Sequence, residues 1–352
     1  TLAASVAGAA TSLARAFPRA RFLPALRRGN GHGALDMGLA PGVLPGRTDL
    51  DAGRDWSTAA WGSVPATRGL DATGTLTAAA AGHIDVLVLV GADPLCDFPD
   101  RSLARRALAR VGTVVAVDCF LTASAAAATV VLPAATFAER GGTTTNLEGR
   151  VTRLAAKITA PGLARPDWMI AAELAARLGA DFGWPDLDAV WAEITRLSPA
   201  HAGLTPAVLA AHRDGVVVPM AGAVDQARPP LLTFAGAPDD PAAPPVDAYS
   251  LRLVSSRVLY DNATWTQHSP ALAPLARPAQ LRANPYDLAR LGVTTGDRVR
   301  LRSPHHTTVV EVAADGTVPR GSAWFPFNPP GEGAADLIDC TRPVIDVRIE
   351  TL

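Results

Sequence analysis

Two apolar, β-branched runs open the patterned part of the chain. Ile84-Asp85-Val86-Leu87-Val88-Leu89-Val90 stops at Gly91-Ala92-Asp93-Pro94, and Thr113-Val114-Val115-Ala116-Val117 stops at Asp118. Their hydrophobicity is continuous rather than alternating, as a strand covered on both faces of a parallel sheet requires. Between them Leu103, Ala104, Ala107 and Leu108 recur at helical spacing over residues 101–110, and Gly112 closes the element. Strand, helix, strand predicts a right-handed βαβ unit. A third run, Thr129-Val130-Val131-Leu132, ends at Pro133 and extends an open α/β sheet.

Downstream the period changes. Asp167 is placed to cap a helix with the stripe Trp168, Ala171, Leu174, Ala175 and Leu178, ended by Gly179. A further helix is predicted over 189–197, with Val190, Trp191, Ile194 and Leu197 on one face. Both stripes read as core packing. Residues 219–245 then hold seven prolines and no period, the composition of a linker or long extended loop. Beyond it, strands are predicted at 251–254, 298–301, 307–312 and 317–318, the last after an Asp315-Gly316 turn. They suggest a small barrel of mixed strands. The expected organisation is an α/β domain at 1–218, a linker at 219–248 and a β domain at 249–352.

Composition narrows the chemistry. The 352 residues carry 32 basic and 33 acidic side chains, a net charge of −1. That balance argues against a nucleic-acid partner or a membrane-surface binder. Lys157 is the one lysine, and the arginine excess reads as the coding bias of a GC-rich genome rather than as an anion site. Cys96, Cys119 and Cys340 are isolated, so this chain alone offers neither a zinc ribbon nor an iron–sulfur cluster. Thr1–Ala14 lacks a basic n-region and is not a signal peptide; the chain is read as the middle of a longer protein. The uncharged stretch 119–138 is long enough to span a bilayer but is broken by Pro133, and direct membrane insertion is not expected.

Candidate chemistry is sparse. Gly91-Ala92-Asp93-Pro94 lies at a predicted parallel strand end before a helix, where open α/β sheets bind ligands. Asp118, at the next strand end, could accept from ribose or base donors. The same residues equally make an ordinary tight turn, since GxGxxG is absent and Pro94 removes one amide. Glu139-Arg140-Gly141-Gly142-Thr143 has no lysine and is no Walker A loop. The seven histidines form no metal pattern, and no GxSxG or Cys–His dyad is present. No catalytic or metal-ligating residue is assigned.

The segments VLVLVGADPLCDFPDR (86–101), VVLPAATFAERGGTTTNLEGRVTR (130–153) and ARPDWMIAAELAARLG (164–179) resemble the large iron–sulfur subunit of bacterial respiratory complex I, within the molybdopterin oxidoreductase family. Residues 22–46 resemble its actinobacterial form. The segments 255–270 and 282–303 are similar to the family's C-terminal molybdopterin-dinucleotide-binding domain, a double-psi barrel.

The resemblance implies an open parallel-sheet, Rossmann-like domain followed by that barrel. It also implies a pterin-dinucleotide cleft at Gly91, Asp93, Pro94, Asp118, Asn146, Glu148 and Gly149, faced by His268, Asn284, Asp287 and Asn328. Two departures weaken the cleft. Cys119-Phe120 follow Asp118 where catalytic relatives place Pro-Arg, and alanine within 125–128 replaces an acidic residue before the third strand. The resemblance therefore implies a redox-silent scaffold, with iron–sulfur clusters in an N-terminal part outside this chain. Partners would be other complex I subunits, with NADH and quinone reached only through the complex, on the cytoplasmic side of the plasma membrane. Two alternatives are the C-terminal part of a formate-dehydrogenase-like molybdoenzyme and a non-catalytic pterin- or partner-binding module.

Overall fold

In this computed structural model, the structure describes residues 3–26, 28–219 and 243–352. It separates into two compact units, Thr1–Ala72 with Ala134–Asp240 and Thr73–Pro133 with Pro241–Leu352. This division is not collinear with the chain. The βαβ region groups with the C-terminal barrel, across the boundary expected near residue 245. Most of the expected linker, residues 220–242, lies outside the described residues.

In chain order the first unit begins with α1 (Ala3–Ala16), α2 (Gly31–Asp36), the short ladder β1 (Val43–Leu44) and β2 (Thr48–Asp49), and α3 (Arg54–Trp61). The second begins with α4 (Ala72–Ala80), β3 (Val86–Val90), α5 (Pro94–Asp97), α6 (Arg101–Arg110), β4 (Thr113–Asp118), α7 (Ala123–Ala126) and β5 (Val130–Pro133). The chain returns to the first unit with β6 (Gly142–Thr145), β7 (Arg150–Leu154), α8 (Asp167–Arg177), α9 (Leu187–Leu197), α10 (Pro206–Ala211) and β8 (Val216–Val217). It completes the second with β9 (Leu251–Ser256), α11 (Thr264–Gln267), β10 (Gln280–Ala283), α12 (Pro285–Arg290), β11 (Arg298–Arg302), β12 (Thr307–Ala314), β13 (Ser322–Pro326), α13 (Ala334–Leu337) and β14 (Asp346–Thr351).

In the second unit β3, β4 and β5 form a parallel sheet in that order, as the three runs predicted. Asp100 caps α6, its carboxylate accepting from the Leu103 amide at 2.8 Å. Leu103, Ala104, Ala107 and Leu108 then pack with Leu87, Leu89 and Val114. The other face of β3 differs from expectation. Val86, Val88 and Val90 are more than half exposed, so the continuous run is covered on one face only.

The barrel is closed in the order β10-β12-β11-β14-β9-β13, with β10∥β12 and β13∥β9 and the remaining pairs antiparallel. Alternation builds it: along β11, Val299 and Leu301 point inward while Arg298, Arg300 and Arg302 face solvent. Leu251, Leu281, Val312, Phe325 and Val347 complete a sealed interior. The strand expected at Thr317-Val318 is instead a turn. Asp315 captures the Thr317 amide and hydroxyl at 2.9 and 2.6 Å, which bends the backbone away from a ladder. Strands β10, β13 and β14 had no expected counterpart.

In the first unit, β6, β7 and β8 form an antiparallel sheet over a core of Val151, Trp191, Leu204 and Leu209. Helix α9 starts at Leu187 under an Asp186 cap, two residues before the expected start. Helix α8 starts after Pro166, so Asp167 is not its cap but its first residue, paired with Arg140. Of the expected α8 stripe, Leu174 and Leu178 are exposed at 39% and 85%; the periodicity is helical, but that face is open. No helix among the described residues is long and apolar enough to cross a membrane.

Candidate functional site

The strand ends of the second unit assemble one group of candidates. Gly91, directly after β3, has φ +58°, and its amide donates to the Val117 carbonyl at 2.8 Å. An added Cβ there would meet nothing within 4 Å, so the glycine serves the backbone conformation and leaves open space beside it. Asp93 is 3% exposed. Its Oδ1 accepts from the Ser124 hydroxyl at 2.5 Å and the Ser124 amide at 3.2 Å, while Oδ2 is buried without a partner. Pro94 opens α5, where no amide is needed. Asp118 turns its Oδ1 back onto the amides of Cys119 and Phe120, at 2.7 and 3.3 Å.

The barrel side meets these loops through hydrogen bonds, ion pairs and ring contacts. Asn328, 1% exposed, donates from Nδ2 to Cys96 Sγ at 2.9 Å and accepts at Oδ1 from Arg101 Nη2 at 3.1 Å. The Cys96 thiol donates to the Asn262 carbonyl at 3.0 Å. Burial pushes this thiol up to about 11, against the opposing hydrogen bond from Asn328, so it is a donor and not a thiolate. Arg101 also donates Nη1 to Asp336 at 2.6 Å, with both side chains nearly buried, and Nε to the Leu95 carbonyl at 2.9 Å. Arg257 bridges Asp261 and Asp97 at 2.7 and 2.8 Å, and Asp261 above all raises its pKa. His268, which ends α11, stacks on Phe120 with ring centroids 4.5 Å apart and planes 6° apart. Trp265 meets the same Phe120 edge-on at 5.1 Å.

The remaining candidates stand elsewhere. Asn284 caps α12, accepting from the Tyr286 amide at 3.0 Å and donating to the Val318 carbonyl at 2.8 Å. Asp287 accepts from the Gly321 amide at 2.8 Å. Both serve the barrel's own turns. Asn146, Glu148 and Gly149 belong to the first unit, in the β6–β7 hairpin. Asn146 Oδ1 accepts from the Glu148 and Arg150 amides, and Gly149 sits at φ +80°. Glu148 is exposed and paired with Arg150 at 3.3 Å. Nothing in the sequence pattern pointed to Cys96, Arg101 or Asp336; residues 235 positions apart leave no periodic trace of their pairing.

A charged dinucleotide needs free donors for its phosphates and free edges for its base. Here Arg101 and Arg257 are spent on carboxylates and Asn328 is spent on Cys96 and Arg101, while Phe120 stacks on one face of an otherwise exposed His268. Gly91's open side, the exposed ring edge of His268 and Asp93 Oδ2 are left, and an unpartnered carboxylate oxygen does not welcome a phosphate. Arg101 and Arg257 therefore offer no free guanidinium to a cofactor phosphate on this side, a poor fit to a charged dinucleotide. No group of three metal-ligating side chains occurs among the described residues.

A parallel α/β sheet whose strand-end loops abut a closed six-stranded barrel defines the architectural class. Residues 5–177 match the family described as molybdopterin oxidoreductase, and residues 251–346 the molydopterin dinucleotide binding domain. The chain belongs to the molybdopterin oxidoreductase family. It is 33% identical over 305 residues to an NADH-quinone oxidoreductase subunit of Rhizobium meliloti, covering 86% of this chain and 34% of that protein. It is 28% identical over 340 residues to a formate dehydrogenase alpha subunit of Methanococcus maripaludis, covering 92% and 50% respectively. The chain thus spans a third to a half of these relatives. Among solved structures it resembles acetylene hydratase from Pelobacter acetylenicus, with a TM-score of 0.56 at 18% identity over 80% of this chain and 46% of that one, a likeness of fold.

Proposed function

We propose that this chain is the C-terminal scaffold part of the large iron–sulfur subunit of an NADH-quinone oxidoreductase, redox-inactive by itself. It supports electron transfer from NADH to quinone through iron–sulfur clusters carried elsewhere in the full-length polypeptide. As a peripheral element on the cytoplasmic side of the plasma membrane, it contacts other subunits of the complex. The candidate dinucleotide cleft is vestigial in this reading. What supports it most is the pairing at the strand ends, where groups that a cofactor would use hold the sheet to the barrel instead. Cys119-Phe120 in place of Pro-Arg points the same way, since an aromatic ring stands where a phosphate-binding guanidinium is expected.

The similarity to a formate dehydrogenase alpha subunit favours a second reading, a molybdenum-dependent oxidoreductase. Elemental analysis of the full-length protein separates the two. Iron without molybdenum is expected, and the isolated chain is expected to oxidise no NADH. About one molybdenum per polypeptide would overturn the scaffold reading.

A further inference from the structure

The first unit contains a cavity of about 680 Å³ that the scaffold reading does not use. Its size falls in the range of small-molecule sites, and its walls are mostly apolar, among them Met37, Val190 and Ile194. One carboxylate is held in it by two aromatic side chains. Trp61, the last residue of α3, donates its indole N–H to Glu193 Oε1 at 2.8 Å. Trp184 donates to Oε2 at 2.7 Å. The two bonds fix Glu193 from segments 132 and 9 residues away. Both donors are neutral, so neither brings a counter-charge, and each oxygen keeps a further lone pair. Phe182 lies against Trp184 with centroids 4.6 Å apart, so three aromatic rings, Trp61, Phe182 and Trp184, line the same space. Asp181 adds a second acidic group and Arg196 one basic group to the lining.

We propose that this cavity binds an organic cation, an alkylammonium group carried on an apolar body. Aromatic rings lining a site attract a cation through their quadrupoles, tryptophan most strongly. The oriented carboxylate supplies the charge, and the apolar walls take the body. An anion is disfavoured by Glu193, and a neutral apolar molecule brings that carboxylate no counter-charge. Arg196 belongs to an exposed turn of α9, where its guanidinium can stay in water.

The test is calorimetric titration of the full 352-residue chain with benzyltrimethylammonium, with choline and with choline's uncharged isostere 3,3-dimethylbutan-1-ol. Saturable, one-to-one binding of benzyltrimethylammonium is expected, with choline binding about tenfold more tightly than the isostere. Glu193→Gln, checked for folding by circular dichroism, is expected to lose about tenfold for both cations. Absence of saturable binding overturns the proposal, and so does equal affinity for choline and the isostere. The charge discrimination is read in the unaltered protein, so the outcome stands even where Glu193→Gln fails to fold. Metal analysis of the full-length protein does not enter, and the proposal and the scaffold reading fail separately.

Discussion

Asp93 holds one oxygen in two hydrogen bonds from Ser124 and leaves the other buried and bare. Ser124→Ala removes the shorter bond and leaves a nearly sealed carboxylate with one amide. A loss of about 1–3 kcal/mol is expected, read from urea denaturation. His201 is fully buried, hydrogen-bonded through Nδ1 to Ser198 at 2.7 Å, with Nε2 unpartnered and Trp191 edge-on to its ring. Burial holds it below the ordinary imidazole value; Asp36 acts in the opposite direction and Arg47 adds to the lowering. The unfolded chain therefore takes up the proton first, and stability falls as pH drops below about 6.5. His201→Asn is expected to flatten that part of the stability profile between pH 7 and 5. A steeper slope in the variant would contradict the assignment.

At the scale of elements, the patterned runs were readable because they depend on near neighbours, whereas the one cap expected, Asp167, proved to be the first residue of its helix. Strands β3, β4 and β5 and helix α6 lie where continuous apolar runs, β-branching and helical spacing placed them. Asn284 shows how one residue type serves two readings. The Asn-Pro motif that resembles a cofactor-binding segment is also an N-cap followed by proline at the first helical position. Asn284→Ala is expected to destabilise the barrel by about 1 kcal/mol in thermal melts, through loss of the cap. Strands β10, β13 and β14 were not placed by the pattern, and only the fold pairs them, β14 with β9 across some ninety residues of chain. The stripe of α8 was correctly periodic yet is open, because a period names a face and not what covers it.

For the whole molecule, the decisive contacts join residues that no local rule connects. Arg101 and Asp336 tie α6 to α13, with Asn328 and Cys96 beside them. Removing one partner of a buried pair strands the other's charge, so Arg101→Met is expected to cost about 3–5 kcal/mol. Amide exchange is expected to rise in α6 and α13 together, because the pair holds both helices. A rise confined to α6 would show that the sheet and barrel are held by other contacts. Asp336→Asn in the same background should add little, the signature of a shared interaction.

The amino-acid sequence by itself determined the family, the open sheet, the presence of a barrel and the residues standing at the strand ends. These follow from periodicity, turn chemistry and motif, which act over a few positions. The tertiary structure decided how those residues are used. It divided the candidates between two units, spent Asn284 and Asp287 on barrel turns, and turned Asn328, Cys96 and Arg101 into a buried bond between sheet and barrel. It also closed two indoles on Glu193. Hydrogen-bond capacity is local to each side chain, but which partner consumes it depends on contacts that only folding brings within 3 Å.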